Sequence, residues 1–343
     1  MMQRRYRIAT TIAAAGFLGA VALCLAGGDA RAEMEHTVVS LPAENFGFLP
    51  FYVAQDGNFF EQQDLQVTKV VLPGVGTTNG VISGSVNFGF SNGASLTRAA
   101  ARGQKLLAIA LTSDKPAWQI VMRKSLAEQA HFDPKAPLAE RAKAMGMAHA
   151  FAIDTVNSVG HALVRVDAKI GGLDPDKMQV TPMLSSEAIL AYSRNAIDGF
   201  VANAPWTQQV LAGGTAVVIA DGLAGDPPWL TPFALGLVIT RPEFCVEHRS
   251  ICMKMGHALV AAVKFIHEHK AESIAILEKR FPQIDHAVME PSFDVVEKAM
   301  PPVPLVVEAA ISNADRLNIE AGFMKPQEKL GSYKDLYTNE FVQ

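Results

Sequence analysis

Short β-like runs and helical segments alternate along the chain, and this alternation constrains the fold more than any other feature. Apolar, β-branched runs at 36–41, 65–72, 86–90 and 106–111 are separated by helical patterns at 50–60, 77–83 and 94–102. A helix that follows a strand returns the chain to the same end of the sheet, so successive strands pair in parallel. The pattern therefore predicts a mainly parallel sheet with helices on both faces.

A second α/β unit follows the β-like run at 118–123. Strands are predicted at 148–153, 179–183 and 197–201, with helices at 158–170 and 186–192. A last strand at 233–240 precedes a helical C-terminal region, which is expected to pack on the first unit. The chain would cross between two lobes near 117–124 and 227–236. Two crossings form a hinge, with a ligand cleft between the lobes.

The predicted boundaries give the first lobe residues 33–120 and 231–343, and the second lobe residues 121–230. Residues 1–32 are predicted to be a signal peptide, because three arginines precede an apolar run at 8–25 and Ala30-Arg31-Ala32 fits a cleavage site. A retained membrane anchor or lipidation at Cys24 is the alternative. We expect cleavage after Ala32 and a periplasmic product.

Composition and charge exclude several classes of partner. The formal net charge is −4 and no basic run occurs, so nucleic acid is not an expected partner. About 310 residues would remain after cleavage, which favours two lobes over one core.

Cys245 and Cys252 could form a disulfide, but their spacing alone leaves this open. We expect a monomer with no cofactor and no metal site.

Residues 89–93 match the G-x-S-x-G nucleophile elbow, and the motif lies between a predicted strand and helix. A secreted serine hydrolase that uses Ser91 is therefore an alternative function. The motif also needs an upstream oxyanion loop, and His36 is the only histidine between the cleavage site and Ser91. No oxyanion loop is recognisable there.

Small polar residues recur where predicted strands open into helices, at 45–51, 91–95, 157–161 and 185–186. A helix start has unpaired N–H groups and a partial positive charge. Several such starts facing one cleft would hold an anionic group without a buried cation. Their occurrence in both predicted lobes favours an anionic ligand.

These segments resemble the periplasmic solute-binding proteins of the nitrate, sulfonate, taurine and thiamin-precursor ABC importers. The resemblance is carried by residues 45–54, 57–61, 84–89, 100–103, 157–161, 195–199 and 204–206. It implies a type II periplasmic-binding-protein fold with two lobes, each a mainly parallel sheet flanked by helices, and a double crossover hinge. It also implies that the protein closes on a small-molecule ligand and docks on an ABC permease in the inner membrane.

The resemblance implies ligand-binding residues by position. These are Asn45, Phe46, Phe48, Ser91, Asn92, Asn157, Ser158, His161, Asn203 and Trp206. Asn157 replaces a usual glycine, and Asn203-Ala204 replaces the usual "W-E" pair, so the ligand cannot be copied from a relative. The helix starts and aromatic residues favour a carboxylate or sulfonate with an apolar or aromatic body. Enzymatic relatives carry a cysteine-rich motif that this chain lacks, so no enzymatic activity is expected.

Overall fold

Two five-stranded sheets organise residues 34–343, the part of the chain that the computed structural model describes. The predicted signal peptide and Cys24 lie outside the described residues. The strands are β1 (Glu35–Leu41), β2 (Leu65–Val71), β3 (Phe88–Ser91), β4 (Leu107–Ser113), β5 (Gln119–Arg123), β6 (Phe151–Ile153), β7 (Val180–Pro182), β8 (Gly199–Ala202), β9 (Ala216–Asp221) and β10 (Gly236–Thr240).

Helices flank both sheets within residues 34–343. They are α1 (Leu49–Asp56), α2 (Gly76–Ser83), α3 (Gly93–Ala101), α4 (Lys124–Gln129), α5 (Leu138–Arg141), α6 (Val159–Ile170), α7 (Ser185–Ser193), α8 (Trp206–Ala212), α9 (Pro242–Glu247), α10 (Arg249–Glu268), α11 (Lys270–Arg280), α12 (His286–Lys298) and α13 (Glu308–Glu320). Among the described residues, no helix is both long and apolar enough to cross a bilayer.

The sheet orders are β2-β1-β3-β10-β4 and β7-β6-β8-β5-β9. In the first sheet β10 runs antiparallel to both of its neighbours, and in the second sheet β5 does the same. All other pairings are parallel. The chain leaves the first sheet after β4 to enter β5, and it returns from β9 to β10. The predicted double crossing is therefore confirmed, and each sheet is mixed: four of its strands run in one direction, and β10 or β5 runs against them.

Three sequence predictions of secondary structure were wrong in detail. β9 was not predicted, because its place beside β5 depends on a partner almost 100 residues away. Helices α4 and α5 lie between β5 and β6, where no helix was predicted. Helix α1 ends at Asp56 instead of residue 60, since the chain turns at Gly57 and Asn58 has a left-handed φ of 58°.

Aromatic side chains form the centre of the core around α1. The ring of Phe51 lies 5.8 Å from Phe60 and 5.6 Å from Phe90, and all three side chains are buried. Burial of such a side chain contributes about 1.5–3 kcal/mol. Helix α1 packs against α10 and α11, so the C-terminal helices cover the first sheet, as predicted.

Two C-terminal helices also reach the second sheet's helices. Helix α13 packs on α3 and on α6, and α12 packs on α8. Arg165 Nε of α6 donates a hydrogen bond to the carbonyl oxygen of Ala321 over 2.6 Å. The expectation that these helices pack on the first lobe alone was therefore incomplete.

A disulfide joins Cys245 and Cys252 across the α9–α10 junction, which settles the question that their spacing left open.

Candidate ligand-binding cleft

The two sides of the candidate site meet where a loop after β1 contacts a loop after β8. Asn203 Nδ2 donates to Asn45 Oδ1 over 3.4 Å, and the backbone N–H of Phe46 donates to the carbonyl oxygen of Ala204 over 3.3 Å. These loops follow strands of different sheets. The structure therefore brings together three of the predicted residues, Asn45, Phe46 and Asn203, in a direct interlobe contact.

The first wall is built around the short 3-10 helix Phe46–Phe48. Asn45 Oδ1 accepts a hydrogen bond from the N–H of Gly47 over 2.8 Å and so caps this helix. A Cβ atom on Gly47 would lie 2.9 Å from both Asn45 Oδ1 and Asn203 Nδ2. Such a distance is too short for ordinary contact. Glycine at position 47 is thus what allows the two walls to approach.

The two phenylalanines predicted for this wall lie in different environments. The ring of Phe46 is fully buried and packs 5.1 Å from the ring of Phe281, so only its backbone faces the other wall. Phe48 is partly buried, and its ring meets Phe90 edge-on at 6.1 Å. Of the two rings, Phe48 is the one with exposed surface to offer a ligand.

Ser91 and Asn92 lie where strand β3 ends and helix α3 begins. Asn92 Oδ1 accepts from the N–H of Ser95 over 2.9 Å and caps α3. Ser91 Oγ lies 3.1 Å from Thr78 Oγ1 of α2, a residue that was not predicted. Within residues 34–343, neither Ser91 nor Asn92 is hydrogen-bonded to the second wall.

The second wall centres on the start of α6. Ser158 Oγ accepts from the N–H of His161 over 3.0 Å and donates to Asp154 Oδ1 over 2.5 Å. Asn157 has a left-handed φ of 63°, and its N–H donates to His161 Nδ1 over 3.0 Å. The three predicted residues of this helix start therefore share one network, which Asp154 completes.

Two groups of this network have shifted pKa values. Burial raises the pKa of Asp154, although its hydrogen bond with Ser158 opposes the rise. Burial, with a smaller effect of Arg165, lowers the pKa of His161. His161 is therefore neutral at pH 7, and because Nδ1 accepts a hydrogen bond, Nε2 carries the proton.

Asn203 and Trp206 flank a cis peptide bond between Ala204 and Pro205. The N–H of Trp206 donates to the carbonyl oxygen of Asn203 over 3.2 Å, which fixes the start of α8. Trp206 is only 8% exposed and packs in the main core cluster. Trp206 therefore packs among core side chains, whereas Asn203, which is equally buried, reaches the facing wall.

Sequence reasoning missed residues that lie between or beside the walls. A Cβ atom on Gly74 would lie 3.3 Å from Thr155 Oγ1, so the loops after β2 and β6 are also close together. The Nε1 atom of Trp118 is buried without a hydrogen-bond partner, and its ring lies against Gly160. Asp154 could have been found, because polar groups at the carboxyl ends of parallel strands commonly face a ligand crevice.

In residues 34–343, Ser91 is not part of a catalytic triad. Ser91 belongs to extended strand β3, whereas a nucleophile elbow needs a sharp, strained turn at the serine. Thr78 is its side-chain hydrogen-bond partner, and no histidine bonds to it in residues 34–343. In the same part of the chain, no three His, Cys, Asp or Glu side chains are grouped to hold a metal ion.

Comparison with known proteins supports the fold. Residues 45–129 match the family model described as NMT1/THI5 like. No curated protein sequence matches the chain. A structure from Bordetella bronchiseptica RB50 is 16% identical over 90% of this chain and 96% of its own, with a TM-score of 0.77.

Two similar structures have described ligands. The alkanesulfonate-binding protein SsuA from Xanthomonas axonopodis pv. citri, bound to MOPS, is 17% identical over 90% of this chain and 100% of its own, with a TM-score of 0.69. The periplasmic nitrate-binding protein NrtA from Synechocystis PCC 6803 is 14% identical over 90% and 87%, with a TM-score of 0.68. The chain has the two-lobed α/β fold of these periplasmic binding proteins, and the predicted resemblance is confirmed.

Proposed function

We propose that this protein is the extracytoplasmic solute-binding component of an ABC importer. It binds a small organic anion, a carboxylate or sulfonate whose body can be aromatic, in the interlobe cleft and delivers it to the permease in the inner membrane. The proposal includes removal of residues 1–32, a periplasmic location and a monomeric state. It also assigns residues 33–120 and 231–343 to one lobe and 121–230 to the other.

The observation that carries this proposal is the direct contact between the two walls. Capped helix starts follow strands of both sheets, at Asn45 and Asn92 for the first sheet and at Ser158 for the second. A ligand that touches both walls favours the closed state by its difference in affinity for the closed and open states. A closed, loaded form then differs in shape from the empty protein, and this difference is what a permease can recognise.

The charges beside the walls support a position for the anionic group. A carboxyl group of the protein, that of Asp154, already lies at the start of α6. Its Oδ1 accepts a hydrogen bond from Ser158 Oγ and would lie 3.3 Å from a Cβ atom on Gly160. A ligand anion at this start would be repelled by Asp154 whenever that carboxyl is ionised. We therefore place the anionic group nearer the first-wall helix starts at Asn45 and Asn92.

A thermal-shift screen tests the proposal directly. Small carboxylates, sulfonates, nitrate and pyrimidines are added to the purified mature protein, and a true ligand raises the apparent stability by about 2.7 kcal/mol at 100 times its Kd. A screen in which every carboxylate and sulfonate leaves the midpoint unchanged would overturn the ligand class. Hydrolysis of activated esters that disappears in Ser91→Ala would instead establish the hydrolase alternative.

Variants of the second wall test the location of the site. Asn203→Phe and Ser158→Leu place bulk at the wall and should weaken binding of the ligand found in the screen at least tenfold. Ser125→Leu is the matched control, because Ser125 is exposed on α4 of the same predicted lobe. If both wall variants bind like the control, the ligand does not occupy this cleft.

A further inference from the structure

A groove of about 290 Å³ lies between α2 and α3, on the first-sheet side of the molecule. All of its lining residues fall between positions 75 and 104, so the second sheet contributes none of them. Its polar lining consists of Thr78, Asn79, Ser95, Arg98, Arg102 and Gln104. The groove is therefore distinct from the contact between Asn45 and Asn203.

Two arginines line this groove. Ser95 and Arg98 are three residues apart on one face of α3, and Arg102 directly follows the helix as its C-cap. Arg98 is only 9% exposed, whereas Arg102 is exposed. One guanidinium thus lies deep in the groove and the other lies near its opening.

Arg98 is held in place by neutral partners. It donates to Asn318 Oδ1 of α13 and, over 3.4 Å, to Ser95 Oγ. Asn318 Nδ2 in turn donates to the carbonyl oxygen of Ala94 and to Thr97 Oγ1, over 2.9 and 3.0 Å. Within the described residues, this network of neutral groups fixes the orientation of the guanidinium.

Neither arginine is neutralised by the described part of the chain. Within residues 34–343, no carboxylate lies within salt-bridge distance of Arg98 or Arg102. Burial, and to a smaller extent the charge of Arg102, lowers the pKa of Arg98 to about 10. Arg98 is still cationic at pH 7. A buried charge without an opposite charge is unfavourable, and a bound anion would remove that cost.

We propose that this groove binds the sulfate or phosphate group of a small ligand through Arg98 and Arg102. A guanidinium presents parallel N–H donors that match two oxygens of such a group, and two arginines match its double charge. Thr78, Asn79 and Gln104 offer further hydrogen bonds to the remaining oxygens. The volume suits a free oxyanion or a small ester that carries one.

Isothermal titration calorimetry with sodium sulfate and sodium phosphate, at constant ionic strength in chloride, tests the assignment. We expect saturable binding that Arg102→Gln weakens at least tenfold without a change in the unfolding midpoint. Arg98→Lys keeps the charge but loses the planar fork, and it should also weaken binding. Arg194→Gln is the matched control, because Arg194 is an exposed arginine after α7 in the second lobe.

The outcomes separate this site from the cleft. No binding by the unmodified protein, or equal binding by the Arg102→Gln and Arg194→Gln variants, would overturn the proposal. Sulfate binding that is lost in Asn203→Phe but kept in Arg102→Gln would place the anion in the cleft and also overturn it. Tighter binding of glycerol 3-phosphate than of inorganic phosphate supports an organic ester as the ligand, and equal binding supports the free ion.

Discussion

Asp167 provides a quantitative test of the electrostatics in the second lobe. It lies on α6 with 1% of its surface exposed, and its Oδ1 has no hydrogen-bond partner. Burial raises the pKa of this carboxyl to about 8, the nearby charge of Asp226 adds to the rise and Arg141 opposes it. Arg141 itself is paired with Asp226 over 2.8 Å. Asp167 is therefore protonated in the folded protein at pH 7.

The shift determines how stability depends on pH. An unfolded aspartate releases its proton near pH 4, whereas folded Asp167 keeps its proton until about pH 8. The unfolded state binds fewer protons in this window, so the free energy of unfolding falls as the pH rises, by about 1.4 kcal/mol per pH unit. In Asp167→Asn this pH-dependent loss of stability is absent. We therefore expect the free energy of unfolding of the variant, measured relative to that of the unmodified protein, to rise by about 3 kcal/mol between pH 5 and pH 7.5.

Urea unfolding at pH 5 and at pH 7.5 measures this difference. The comparison uses the change between the two pH values, so a constant packing effect of the asparagine cancels. Asp335→Asn is the control, because Asp335 is exposed and its side chain makes no hydrogen bond or ion pair with residues 34–343. Its effect should change by less than about 0.5 kcal/mol between the two pH values. An equally small change in Asp167→Asn would refute the raised pKa.

Three further predictions concern packing and closure. Gly256→Ala would place a Cβ 1.9 Å from the carbonyl oxygen of Phe341, so chemical unfolding should show that the free energy of unfolding falls by about 1–3 kcal/mol. Gly331→Ala is the control and should be nearly neutral, because a Cβ at position 331 would lie in open space. Reduction of the disulfide between α9 and α10, which closes a short loop, should lower stability by about 2 kcal/mol in the same assay. Gly47→Ala would bring a Cβ too close to Asn203, so calorimetry should show that the affinity for the cleft ligand falls roughly 5- to 150-fold. An unchanged affinity would contradict the contact between the walls.

The order of the elements was predictable because it depends on local patterns. The runs that became β1 to β8 and β10 are mostly apolar, and the caps Asn92 and Ser158 act within three residues of themselves. Strand β9 was missed although its sequence is apolar, since its assignment depends on pairing with β5. The twelve-residue helix α6 was predicted to start one residue early, at its cap Ser158.

The candidate site was only partly predictable for the same reason. The sequence indicated that Asn45 and Phe46 lie at a strand end, but it could not show that the Phe46 ring turns into the core. Asp154 was overlooked because its importance comes from its contact with Ser158 and from burial, not from a motif. The roles of the predicted residues in ligand binding remain predictions.

The sequence by itself determined the alternation of strands and helices and the capped helix starts, and these indicated a two-lobed α/β protein. Both features were predictable because the periodicity of apolar residues and helix capping are local properties of the chain. Only the tertiary structure decided which of these starts face each other. Asn45 meets Asn203 across 158 residues of sequence, and Arg98 meets Asn318 across 220. Such contacts depend on how the two sheets and the C-terminal helices pack together, and no local pattern encodes that packing.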